Sequence, residues 1–269
     1  MIAEQQTFIH TQVNGHIFEI TLSRPEKRNA MNLALMQQLE AAIDAAEKAA
    51  YNGVRVVIIR GEGQGFSAGI DLLGFGDMIE QFGDGWQKNL FPMTAMYQGI
   101  LNKFEKCSLP TILAAHNYCL GMAFELALAC DFRIVSEDTR MGLPETRLGL
   151  IPDVGGTTRL VRLVGVGRAK ELIMTGRQFD ATYAEQHGIV HYVTPHAELM
   201  NKAYALADEL AQAAPLAVSY AKRVIDGIAD IERGLQLEAW AQSILIRTED
   251  FANGAQAMLM KQEPEWKGQ

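Results

Sequence analysis

Cysteine is scarce in this 269-residue chain: Cys107, Cys119 and Cys130 are all it holds. The count is odd and no Cys-x-x-Cys pair occurs, which argues against both a disulfide framework and a zinc site. Six histidines, His10, His16, His116, His187, His191 and His196, are scattered without ligand spacing, so no metal is expected. Long apolar runs are missing too. None approaches the ~18 to 20 residues of a membrane span, and the polar start from Met1 to His10 carries no apolar core behind a basic segment, so no secretory signal is visible. Positive charge is in deficit, with 24 Lys and Arg against 32 Asp and Glu and a net charge of -8. Such a surface repels phosphate backbones and anionic membranes. Neither nucleic acid nor membrane is the expected partner, and a reduced, cytoplasmic location is. One local exception is the run Arg24, Lys27, Arg28, a candidate for a substrate phosphate.

What is abundant is apolar surface, 48% of residues, enough for a sizeable core in one compact domain with a helical appendage. Phe8 to Gln12 and His16 to Leu22 read as strands around the turn Asn14-Gly15. Asn32 opens an amphipathic helix to about Ala50, with Leu35, Leu39 and Ile43 at helical spacing. The β-branched run Val54 to Arg60 reads as a buried strand. Gly61 to Gly69 is too glycine-rich to be regular, so its backbone can approach a ligand closely. It lacks both the dinucleotide spacing and the Gly-Lys-Ser/Thr ending of a nucleotide loop. Residues 72 to 106 read as short helices broken by loops. Strands follow at Thr111 to Ala115, Asp131 to Val135 and Gly188 to Val193, and helices at Met122 to Ala129, 157 to 163 and 167 to 174. Beyond Pro195 the chain reads as helical, near 196 to 213, 216 to 227, 230 to 248 and 250 to 262. The alternation up to 193 points to an α/β core with a helical layer added, divided as 1–195 and 196–269.

Chemistry gathers around Leu120 to Asp131. A loop that turns at Gly121 into an apolar helix leaves unsatisfied N–H groups at its first turn, an anion site. A second turn, Ala68-Gly69-Ile70-Asp71, would complete an oxyanion hole for an enolate if it lay opposite. Glu125 sits one turn into that apolar helix, where burial would raise its pKa toward a useful range. Glu145 and Asp153 follow in loop-like stretches, and carboxylates beside such a hole can share proton transfer and water activation. Pattern alone leaves second readings open: Glu125 as a salt-bridged helix residue, Asp153 as the N-cap of the helix after Gly156, and Asp71 and Asp131 as structural caps or strand-end partners.

Four ordered stretches, Leu22 to Asn32, Phe66 to Leu72, Leu120 to Asp131 and Pro144-Glu145 through Gly155-Gly156, resemble the crotonase, or enoyl-CoA hydratase/isomerase, superfamily over nearly the whole chain. The resemblance implies a superhelix of repeated β-β-α turns, with a C-terminal helical region that drives a homotrimer or a hexamer of paired trimers. It implies an acyl-CoA thioester substrate and no separate cofactor. It assigns the oxyanion donors to the backbone N–H groups of Ile70 and Met122, and the two hydratase acids to Glu125 and Glu145. The coenzyme A path would be lined by Arg28, Ala30, Ser67, Ala68 and Ile70, with Lys261 of a C-terminal helix reaching a phosphate from a neighbouring subunit. The expected reaction is syn addition of water across the 2,3 double bond of an enoyl thioester.

Two departures qualify that picture. Met122-Ala123 stands where many relatives have two glycines. Asp153, eight residues beyond Glu145, falls where the dienoyl-CoA isomerase branch carries a third acid, although that branch usually has aspartate at the position of Glu125. Isomerisation of a 3,5-dienoyl-CoA, or of an enoyl-CoA, is the alternative activity. A third reading is a noncatalytic or RNA-binding relative, disfavoured by the acidic surface and the intact acid pair. The 3-hydroxyisobutyryl-CoA hydrolase branch shares a similar Pro-Asp-Val-Gly-Gly stretch but lacks an acid at the position of Glu125.

Overall fold

The computed structural model describes residues 6–72, 90–228, 244, 247–260 and 262–269. Asn14-Gly15 turns the chain between antiparallel strands β1 (Ile9–Asn14) and β2 (Ile17–Leu22), with Gly15 at a φ of 58° that suits glycine. Asn32 caps α1 (Leu33–Ala49) by accepting from the Leu35 N–H, and Leu35, Leu39, Ile43 and Ala46 form its buried stripe. β3 (Val56–Gly61) returns parallel to β2.

From residue 90 the chain is one 17-residue helix, α2 (Leu90–Lys106). This corrects the expectation of short broken helices in its second half. Tyr97, Ile100, Leu101 and Phe104 are all buried at helical spacing, and the glycine breakers Gly74, Gly76, Gly83 and Gly85 fall earlier, among the residues outside those described. Then follow β4 (Thr111–Ala115), β5 (Tyr118–Leu120), α3 (Met122–Ala129), β6 (Phe132–Ser136) and β7 (Arg140–Gly142). Next are α4 (Gly156–Thr175), β8 (Phe179–Asp180), α5 (Ala181–Gln186) and β9 (Tyr192–Thr194). The two helices expected after Gly156 are both present within α4, parted at Gly165 by non-helical angles of φ 75° and ψ 165°. The last strand is shorter than expected because Gly188 to His191 close the α5 turn instead, with the Ile189 N–H bonded to the Ala184 carbonyl.

The main sheet has six strands in the order β1-β2-β3-β4-β6-β9, parallel except for the first pair. Both faces are covered, which is why Val56 to Ile59 of β3 are a continuous buried apolar run rather than alternating. Val57 and Ile59 face a large core shared with α1, α2 and α3. Val56 and Ile58 face α6 (Leu199–Ala211), which buries Leu199, Ala203, Leu206 and Ala207 against them. α7 (Pro215–Gly227) is tied down by Lys222, whose buried ammonium donates to Asp131 Oδ2 at 2.8 Å and to the carbonyls of Phe104 and Leu109. α8 (Glu249–Met260) follows, its buried Asp250 accepting from the Lys267 and Gly268 N–H groups. Most of the expected helix at 230 to 248 lies outside the described residues.

A second, three-stranded sheet, β5-β7-β8, was not anticipated. Its strands are two or three residues long and carry no readable alternation. Isolated bridges extend the same stacking, Ser67 beside Cys119 and Met31 beside Ile70. Successive passes of the chain thus lie side by side, and this small sheet positions the site.

Candidate active site

Asn29 organises the first wall. It is fully buried at a φ of 51°, and its amide nitrogen donates to the carbonyls of Glu62, Gly65 and Phe66 at 2.8, 3.1 and 2.9 Å. Its amide oxygen accepts from the Arg24 N–H at 2.8 Å. The glycine loop is thereby pinned to the Arg24 to Asn29 turn. Ser67 is buried, donating to the Asn29 carbonyl and accepting from the Gly69 N–H, so its hydroxyl shapes this turn. Arg24 is committed to Asp71 by a 2.6 Å ion pair, which makes both structural and leaves Lys27 and Arg28 as the exposed cations of the run. Asp131 is likewise structural, accepting from Thr111 and Lys222.

The two turns expected to form an oxyanion hole do meet. Gly69 has a φ of 91°, and a Cβ placed on it would lie 3.3 Å from the Met122 nitrogen. The bridge to Met31 uses the Gly69 carbonyl and the Asp71 N–H, leaving the Ile70 N–H out of the pairing. Met122 begins α3, where first-turn N–H groups lack helical partners. Among the described residues neither N–H donates to a protein acceptor. Gly121 permits this arrangement with φ 54° and ψ -129°, a combination open only to glycine.

The carboxylates converge on the same point. The Gly121 N–H donates to the Gly142 carbonyl at 2.9 Å, extending the β5–β7 pairing, and three residues later Glu145 arrives over Gly121. A Cβ at Gly121 would sit 3.0 Å from Glu145 Oε1. Among the described residues, Glu145 Oε2 is buried with no hydrogen-bond partner. Burial, then the nearby Asp153 charge, push its pKa up, against a backbone hydrogen bond that lowers it. Glu125 is 2% exposed, and burial raises its pKa from 4.5 to about 8, with Glu145 and Asp153 adding to the rise. Hydrogen bonds to Oε1 from the Gly156 and Val154 N–H groups, at 2.8 and 2.9 Å, oppose it.

Those two bonds settle the open reading of Glu125, and the start of α4 settles that of Asp153. Among the described residues Glu125 has no cation partner; it occupies the N-terminus of α4. Asp153 is not the cap of that helix, whose N-cap is Gly155 without a side-chain bond. Its carboxylate instead accepts from Thr94 Oγ1 at 2.7 Å. The signal missed in the sequence was the pair Gly155-Gly156, since a Cβ on Gly156 would fall 2.8 Å from Glu125 Oε1. Ala30, Ala68 and Ile70 are half-buried and Arg28 exposed along one edge of this wall, while Lys261 lies outside the described residues.

Comparison with known proteins shows the family and the fold. The family model for enoyl-CoA hydratase/isomerase matches residues 12–269. A 2,3-dehydroadipyl-CoA hydratase of Escherichia coli is 36% identical over 251 residues, covering 93% of this chain and 94% of that protein. A mitochondrial Δ(3,5)-Δ(2,4)-dienoyl-CoA isomerase of Dictyostelium discoideum is 32% identical over 269 residues, covering 97% and 91%. The crystal structure of an enoyl-CoA hydratase from Bacillus anthracis superimposes with a TM-score of 0.90 at 38% identity, covering 98% of this chain and 100% of the other.

Proposed function

The chain belongs to the enoyl-CoA hydratase/isomerase family, and on that premise we propose that it is a 2-enoyl-CoA hydratase. The observation that carries the proposal is the pair of carboxyls around Gly121: Glu125 and Glu145 both have raised proton affinity, and the charge of Glu145 contributes to that of Glu125. With its pKa raised to about 8, Glu125 holds its proton at neutral pH, and in the proposed cycle Glu145 is the ionised member of the pair. In hydration, the ionised member takes a proton from water as the water oxygen bonds to C3. The thioester carbonyl, hydrogen-bonded by the Ile70 and Met122 N–H groups, carries the enolate charge. The protonated member then delivers its proton to C2 on the same face, and the pair ends with one proton, as it began. A noncatalytic role would leave such costly burial of a carboxyl without a use.

A second reading, isomerisation of a 3,5-dienoyl-CoA to the 2,4-isomer, is favoured by one observation: Asp153 is near enough to raise the pKa of both Glu125 and Glu145. A third acid there would exchange protons farther along the acyl chain. Ultraviolet absorbance separates the two activities, with loss of the enoyl band from crotonyl-CoA reporting hydration and growth of a conjugated dienoyl band reporting isomerisation. Glu145→Gln is expected to abolish either activity, and Asp153→Asn to spare hydration while damaging isomerisation. If neither thioester changes at high enzyme concentration, both readings fail. The same family relationship supports a homotrimer or a dimer of trimers. Three buried, unpaired thiols support a reducing compartment such as the cytoplasm.

A further inference from the structure

Four polar side chains of α2, Thr94, Gln98, Asn102 and Glu105, follow helical spacing along one face, and all four engage the segment that carries Asp153 and opens α4. Thr94 donates to the Asp153 carboxylate, and Gln98 Nε2 donates to the Asp153 carbonyl at 2.6 Å. Farther along, Asn102 Oδ1 and Glu105 Oε2 accept from Arg159 Nη2 at 2.6 and 2.8 Å, and Arg159 Nε also donates to Glu105 at 3.0 Å. The remaining arm of that guanidinium, Nη1, donates to the Val154 carbonyl at 3.2 Å. The Arg159 side chain is only 9% exposed, and it packs so closely under Gly155 that an added Cβ would collide with Nη1. The peptides from Val154 to Gly156 are therefore gripped from two sides. Arg159 holds a carbonyl, and Glu125 Oε1 receives the N–H groups of Val154 and Gly156.

We infer that Arg159 is a positioning residue for Glu125, acting through the Val154–Gly156 backbone and braced against the polar face of α2. The brace keeps two N–H donors aimed at one carboxylate oxygen, in a setting where the other charges facing Glu125 are the carboxylates of Glu145 and Asp153. Losing it would let the donors drift and shift the balance toward the protonated carboxyl. Arg159 thus sets the proton affinity of an acid it does not touch. The inference rests on the reading of Glu125 as an acid–base group.

The test is carbon-13 carboxyl NMR on the full-length protein, with the Glu125 resonance assigned by its loss in Glu125→Gln. Its titration midpoint is measured in the wild type, Arg159→Met, Arg159→Lys and Asn102→Ala, each checked by circular dichroism. The midpoint should rise in Arg159→Met, return part of the way in Arg159→Lys, which keeps the charge but loses the guanidinium fork, and rise less in Asn102→Ala. With crotonyl-CoA, Arg159→Met should lower kcat by ~10 to 100-fold, the scale of a small misplacement of a catalytic group, while KM stays within about twofold. An unmoved midpoint in folded Arg159→Met and Asn102→Ala overturns the inference. The midpoint is read whether or not thioester turnover is found, so an inactive wild type with a shifting midpoint would sink the hydratase reading and keep the brace.

Discussion

Replacing Glu125 with Gln should make the protein more stable, and more so as pH rises. The folded carboxyl titrates at about 8 against an ordinary 4.5, so the folded state binds the proton more tightly than the unfolded chain does. Below pH ~4.5 both states are protonated and the group is neutral in effect. As pH climbs toward 8 the unfolded chain ionises first, and the wild type loses stability across that window. At ~1.4 kcal/mol per pH unit, the rise from 4.5 to about 8 corresponds to at most ~5 kcal/mol. Relaxation around the charged form brings the expected difference to ~2 to 4 kcal/mol. Glutamine keeps an amide oxygen able to accept from Val154 and Gly156 and removes only the ionisation. Denaturant unfolding of wild type and Glu125→Gln at pH 5 and pH 9 measures this directly. The gap in favour of the variant should open by those ~2 to 4 kcal/mol, or ~4 to 16 °C in Tm, between the two pH values. Parallel pH profiles, within ~0.5 kcal/mol, would refute the account of Glu125 as a carboxyl whose ionisation the fold opposes.

Two further outcomes probe the scaffold. Gly121→Ala forces a side chain into a backbone conformation open to glycine and against Glu145 Oε1 at 3.0 Å. It should cost ~1 to 3 kcal/mol in strain and remove nearly all turnover of crotonyl-CoA in a protein that still folds. Asn29→Ala deletes three donated bonds and one accepted bond, those to the Gly65 and Phe66 carbonyls fully buried. Unpaired buried carbonyls at ~1 to 3 kcal/mol each make it strongly destabilising in denaturant unfolding, beyond what Ser67→Ala causes; equal small effects would show that the glycine loop needs no pin.

Local pattern carried much of the main sheet and its helices. Asn14-Gly15, the cap at Asn32, the β-branched run before Gly61 and the apolar helix after Gly121 each express short-range physics. A turn angle, an orphan N–H or a period of burial is written in neighbouring residues, and the structure places those elements within a residue or two of where they were expected. The ordered motifs reached further, naming Glu125, Glu145 and Asp153 together. What the sequence alone left open was what each acid leans on. That Glu125 accepts from the start of α4 and Asp153 from Thr94, and that Gly69 backs onto Met122, depends on chain passes 30 to 60 residues apart meeting through strands of three residues. Strands that short have no periodicity to read, and a carboxyl's proton affinity is set by what surrounds it. The residue types and their order therefore determined the candidate chemistry, whereas the stacking of the small sheet and the burial it enforces decided which oxygen faces which donor and how tightly each acid holds its proton.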